Sequence, residues 1–103
     1  MNIHKHIISS AQEGNRKAQK QLYELYAKAM YNICVRMLQD TEKAQDCLQE
    51  AFIDAFTHLH QFDFRVEFGG WIKRLVINRC INEIKRSQRS NEFIEAYELD
   101  ESE

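Results

Sequence analysis

The sequence predicts an all-α protein, a compact bundle of about four helices. Two observations carry that expectation. The 103 residues include no proline and only three glycines, and a chain with so few breakers is more readily built from helices than from many short strands. Apolar residues then recur at three- and four-residue steps along most of its length. A hydrophobic share of 44% supplies one small core and excludes wholesale disorder.

The first helix is expected over about residues 3–12, with Ile3, Ile7, Ile8 and Ala11 on one side. Gly14 stops it as a left-handed C-terminal residue would, and Asn15 can cap the next helix. That second helix, about 16–38, repeats Leu22, Leu25, Tyr26, Ala29, Met30, Ile33 and Met37. The stripe reads as core, with a dimer seam as the less favoured alternative. Asp40 and Thr41 are the cap candidates for a third helix, about 41–60, which places Ala44, Cys47, Leu48, Ala51, Phe52, Ala55 and Leu59 on one arc. Residues 61–67 break the pattern and read as a loop, with a short strand as the less favoured alternative because Phe62 and Phe64 alternate with Asp63 and Arg65. The fourth helix, about 68–89, is expected to bury Ile72, Val76, Ile77, Cys80, Ile81 and Ile84. After Ser90 the chain is acidic and weakly apolar (Phe93, Ile94, Tyr97, Leu99). Two units follow: a helical domain over 1–90, and a linker, tail or short extra helix over 91–103.

The net charge of −2 conceals a strong asymmetry. Residues 62–90 carry seven basic and three acidic groups, whereas 91–103 carry six acids and no base. A basic block followed by an acidic one points to a polyanion-facing segment and a solvated tail. An acidic amphipathic tail of this kind would be able to cover the basic segment and weaken its binding.

Several classes of function are disfavoured. Cys34, Cys47 and Cys80 are odd in number and far apart in sequence, with no CxxC. They fit free, buried thiols in a reducing cytoplasm better than a disulfide framework or zinc ribbon. The pairs His4/His6 and His58/His60 read as surface or capping histidines, because a metal site needs convergent ligands. No Ser/His/Asp or Cys/His arrangement and no Walker pattern is present, so neither catalysis nor a cofactor is expected. There is no apolar stretch of signal-peptide or membrane-spanning length, so a cytoplasmic protein without membrane contact is expected.

Two faces stand out instead. At about 100° per residue, Trp71, Arg74, Asn78, Arg79, Asn82, Lys85, Arg86 and Arg89 fall on an arc roughly 140° wide that contains no acid. Cations there can neutralise phosphates, and asparagines can bond base edges or backbone. Trp71 on that arc either stacks on a base or forms a hydrophobic rim. On the third helix, Ile53 is ringed by Asp46, Gln49 and Glu50, an apolar centre with a polar rim.

These segments together resemble a known family. Asp46-Cys47-Leu48-Gln49-Glu50-Ala51-Phe52 is similar to the acidic helix of bacterial sigma factors. Phe68-Gly69-Gly70-Trp71-Ile72-Lys73-Arg74-Leu75-Val76-Ile77-Asn78-Arg79 is similar to the helix that follows it, and the spacing between the blocks agrees. Gly14-Asn15 with Ala18 and Leu22-Tyr23 resembles the early segment. The likeness is greatest to the extracytoplasmic-function (ECF) group and covers about residues 3–90, its region 2. It implies a transcription initiation factor domain, not an enzyme.

The resemblance also implies partners. Asp46, Gln49, Glu50 and Ile53 would face the clamp helices of the largest subunit of core RNA polymerase. Phe62, with Phe64 and Arg65 beside it, would border a pocket for a flipped base of the promoter minus-ten element, read on the opened non-template strand. Asn78 would lie near the upstream bases. Arg74, Arg79, Lys85 and Arg86 would hold the strand's backbone, with Asn82 and Arg89 on the same arc. Trp71 aligns with an aromatic implicated in strand opening in primary sigma factors. An anti-sigma factor is a further partner the family allows. A complete factor also carries a second domain with a helix-turn-helix, which these 103 residues lack; residues 91–103 resemble the start of the acidic linker. The alternative reading is a helical protein-interaction module or regulator that docks by its acidic patch and has no nucleic-acid role.

Overall fold

A computed structural model of the chain describes residues 4–101, apart from the side chains of Phe93 and of 97–101. Ile3, assigned above to the first helix, lies outside the described residues, as do the side chains of Phe93, Tyr97 and Leu99. The elements are α1 (Lys5–Gln12), α2 (Arg16–Leu38), α3 (Thr41–Thr57), a single 3-10 turn (Leu59–Gln61) and α4 (Phe68–Glu101). No strand occurs among the described residues.

The helix boundaries follow local chemistry. Gly14, at φ 92°, takes the left-handed conformation that ends α1. The Asn15 side chain accepts a hydrogen bond from the Ala18 amide at 3.0 Å and so caps α2. Asp40 does the same for α3, accepting from the Lys43 amide at 3.0 Å. Helix α2 closes on Gln39, whose amide donates to the Val35 carbonyl at 2.8 Å while its backbone sits at φ 54°. That left-handed geometry disfavours any residue with a Cβ. Gln39 is exposed, so Gln39→Gly is expected to stabilise the fold by about 1 kcal/mol, raising Tm by about 5 °C. A thermal melt that stays level or falls would show that the turn carries no strain.

Two boundaries differ from expectation. The third helix leaves the α conformation at Thr57 and continues through the 3-10 turn; the His58 ring, through Nδ1–H, caps the Asp54 carbonyl at 2.9 Å. The fourth does not stop near residue 89 but runs on to Glu101. Ser90 and Asn91 are weak helix formers but not breakers, and no glycine or proline follows them. The expected separation of 91–103 as a linker therefore does not appear in the backbone of the described residues.

Helix α3 packs against both α2 and α4, and α1 packs on α2. Its small buried residues Ala44, Cys47, Ala51 and Ala55 let the neighbouring backbones approach closely, while Leu48 and Phe52 fill the space between them. All seven arc positions expected of the third helix, Leu59 included, are buried. On α2 the stripe is corrected: Leu25 is 49% exposed and Ala29 is exposed. The buried seam runs Ala18, Leu22, Met30, Cys34. Each four-residue step turns about 40° around the helix, so the seam winds across the face and leaves Leu25 and Ala29 outside. On α4, Ile72, Val76 and Cys80 are fully buried and Ile77 and Ile84 half-buried. Ile81, expected inside, is 38% exposed because it sits at the outer edge of the apolar arc.

Cys34, Cys47 and Cys80, one from each long helix, are free and buried. Spacing gave no sign that they meet, yet Cys80 lies within hydrogen-bonding reach of both others. Burial pushes the Cys47 thiol up to about 11 and the Cys80 thiol up to about 12. Such thiols stay protonated at neutral pH and pack as small apolar groups.

Candidate nucleic-acid interface and an adjoining acidic face

The polar face of α4 follows from the seam beneath it. With Ile72, Val76 and Cys80 buried, the residues on the opposite side must point outward. Arg74, Asn78, Asn82, Lys85, Arg86 and Arg89 are all exposed. Among the described residues, Arg74, Lys85 and Arg89 have no ion-pair partner.

The other edge of the arc is different. Arg79 turns toward α3, where its Nε donates to Asp54 Oδ2 at 2.7 Å and its Nη1 lies 3.5 Å from Glu50 Oε2. Arg86 makes a two-pronged contact with Glu83, at 2.9 and 2.8 Å. The Arg86 hydrogen bonds hold the Glu83 carboxyl below its ordinary range, helped by Ser87 and Lys43. The arc is therefore not one uniform row of free cations. Glu83 lies off the arc, but a long arginine three residues on reaches back to it. Asp54, which the sequence alone did not single out, shares a face with Glu50 four residues earlier, the one local signal that could have found it.

The inward half of the arc meets α3 across a groove of about 340 Å³ lined by Lys43, Asp46, Cys47, Glu50, Arg79, Asn82, Glu83 and Arg86. The two faces read separately from the sequence thus share an edge. Asp46, Gln49, Glu50 and Ile53 are all exposed, Ile53 at 66%. An isoleucine that bare, on a helix whose opposite side is packed, lies outside the core.

The loop between the 3-10 turn and α4 is built on aromatics. Phe62 is 4% exposed, with ring centroids 5.0 Å from Phe64, 5.6 Å from Phe68 and 5.2 Å from Trp71. The sequence placed Phe62 at a base pocket. The structure puts it in the core beneath the loop, because a large apolar ring next to Phe68 is worth more buried than bare. Trp71 is half-buried, packed on Phe62 and Phe68 with part of its indole left open. Phe64 is half-buried, at φ 66°, with the Lys5 ammonium 5.5 Å above its ring. Arg65 is exposed, and its amide donates to Asp63 Oδ1 at 3.1 Å in a tight turn.

Sequence reasoning missed what holds this loop from behind. The Gln12 amide donates to the carbonyls of Leu59 at 3.0 Å and Phe62 at 2.7 Å. No local pattern reveals contacts across nearly half the chain. Among the described residues no three His, Cys, Asp or Glu side chains are placed to hold a metal ion, and no helix is long and apolar enough to cross a membrane.

The helix order and the two adjoining faces define a class: the chain belongs to the sigma-70 region 2 family, whose model matches residues 22–90. Within it, the chain is a region 2 of the ECF type. It is 31% identical over 81 residues to the ECF RNA polymerase sigma factor SigW of Bacillus subtilis, a match spanning 79% of this chain and 43% of that protein. It is 32% identical over 78 residues to the RNA polymerase sigma-H factor of Pseudomonas aeruginosa, covering 76% of this chain and 40% of that one. The chain thus spans less than half the length of these curated relatives. Its fold matches an engineered region 2 of sigmaE, solved by NMR in complex with GTAAAA, with a TM-score of 0.79 at 26% identity, over 85% of this chain and 92% of that one. The family consists of transcription initiation factors, not enzymes.

Proposed function

We propose that this domain docks on core RNA polymerase through Asp46, Gln49, Glu50 and Ile53, and recognises the promoter minus-ten element as opened, non-template single-stranded DNA. The observation that carries the DNA half is the outward edge of α4, where Arg74, Asn78, Lys85 and Arg89 are aligned and exposed and, among the described residues, uncommitted to any acid. The three cations suit phosphates and Asn78 suits a base edge. The solved relative holds a short oligonucleotide, which supports the same use here. Phe64 and Arg65 present the loop to an unstacked base, while Phe62 and Trp71 back it from the core. Arg79, Asn82 and Arg86 border the strand from the groove. Arg79 first has to exchange Asp54 for a phosphate.

The test is binding of a labelled GTAAAA oligonucleotide over a salt series, wild type against Arg74→Ala with Lys85→Ala. Each phosphate contact on a single strand contributes about 0.7 to the salt slope. The double variant should therefore lose about 1.4 from the slope and about 25-fold in affinity at 0.1 M salt. Failure of the wild type to bind at low salt would instead favour a protein-interaction module without DNA.

A further inference from the structure

We propose that Gln12 is the positioning residue of the 62–67 loop: by holding the carbonyls of Leu59 and Phe62, it fixes Phe64 in its left-handed turn and so sets the base preference of the loop. This inference rests on the DNA reading above.

Phe64 is a bulky residue at φ 66°. That conformation is disfavoured for aromatic side chains and persists only where the surroundings over-determine it. Among the described residues, three contacts contribute to this. The Phe62 ring lies 5.0 Å away, and the Lys5 ammonium sits 5.5 Å over the Phe64 ring. The Gln12 amide nitrogen donates to the two carbonyls that bracket the start of the loop, at 3.0 and 2.7 Å. Carbonyl oxygens only accept, so the nitrogen end of Gln12 must face them, and both of its hydrogens are used.

Two of these three contacts come from α1, which carries none of the other proposed DNA or polymerase contacts. Helix α1 is a firm base, since Ile8 and Ala11 are buried against the core. Gln12 is its last residue and is half-buried, so its bonds are partly shielded from water. A loop whose backbone is held from behind presents its outward groups in one arrangement, which is what discrimination between bases requires.

Glutamate at this position is nearly isosteric, but it sets carboxylate oxygens against both carbonyls. Asparagine is neutral and one methylene too short to span them. Lysine keeps donors for both. The experiment selects from a random pool of single-stranded hexanucleotides with the full chain, and reads base preference at each position by sequencing. Thermal melts and the salt slope are recorded alongside. Gln12→Glu and Gln12→Asn are expected to lose about five- to tenfold of the preference at one position, the size of a hydrogen-bond pair. Preferences elsewhere and the salt slope should stay as in the wild type, and Gln12→Lys should restore the lost preference.

Retention of every preference by Gln12→Glu and Gln12→Asn overturns the proposal. So does an even loss at all positions with a lowered melt, which would make Gln12 a structural staple only. A wild type without preference at any position brings down the DNA reading itself, and this inference with it.

Discussion

Replacing Ile53 by aspartate will leave the domain folded and abolish its co-purification with core RNA polymerase. Ile53 is 66% exposed on the side of α3 opposite the buried Ala51, Phe52 and Ala55, so a charge there enters no core. In the proposed complex it is the apolar centre of the contact, and a desolvated centre of this kind accounts for 2 kcal/mol or more, roughly a 30-fold loss of affinity. An aspartate also brings its own desolvation penalty. Glu50→Arg should weaken capture too, but less interpretably. Glu50 lies 3.5 Å from Arg79, so that reversal sets two guanidinium groups together and disturbs the groove as well as the docking face. Purified core polymerase, a tagged domain and a pull-down suffice. Undiminished capture of Ile53→Asp, with an unchanged melt, would remove the docking face from the proposal.

Phe68→Ala should have the largest effect on stability, about 3–5 kcal/mol. Phe68 opens α4 and is 1% exposed, with ring centroids 5.2 Å from Tyr26, 5.6 Å from Phe62 and 5.6 Å from Trp71. Truncation empties the point where α2, the loop and α4 meet. For a domain of this size the loss is a large part of total stability and should lower Tm by more than about 12 °C. A urea melt measures it directly. A loss below about 1 kcal/mol would mean that the surroundings collapse into the space and that the aromatic cluster does not hold the loop.

The buried arc of helix α3 was fully legible, though its end was not, because it packs on two neighbours and every apolar position on a wide arc finds cover. Helix α2 was only partly legible. Its seam winds, and the angle at which it crosses its neighbours is a tertiary property that leaves no mark on a stripe of apolar residues. The caps at Asn15 and Asp40 and the stop at Gly14 were visible because they depend on one residue's local chemistry. The left-handed Gln39 was not, because glutamine carries no such preference.

The same division holds for the site. The outward edge of α4 follows from periodicity, since a buried seam dictates what faces away from it. The coupling of Arg79 to Asp54 and Glu50, the meeting of the three cysteines and the reach of Gln12 all join distant segments. The burial of Phe62 was hidden for a related reason: a loop aromatic looks exposed until the rings that cover it are known.

The unbroken fourth helix spreads charge of opposite sign along one axis. Glu92 and Glu95 ride the same rod as Arg74, displaced along its axis by about 27–32 Å at 1.5 Å per residue. That is several times the 8–10 Å over which charge is felt in physiological salt. With the rod unbroken, those two carboxylates cannot reach Arg74 or the loop, whereas Glu92, three residues beyond Arg89, lies within that range of it. The domain instead resembles a bar magnet in charge, attractive at its root and repellent toward its tip. A polyanion would be turned away from the distal end and admitted at the proximal one, so its direction of approach is selected before any contact forms.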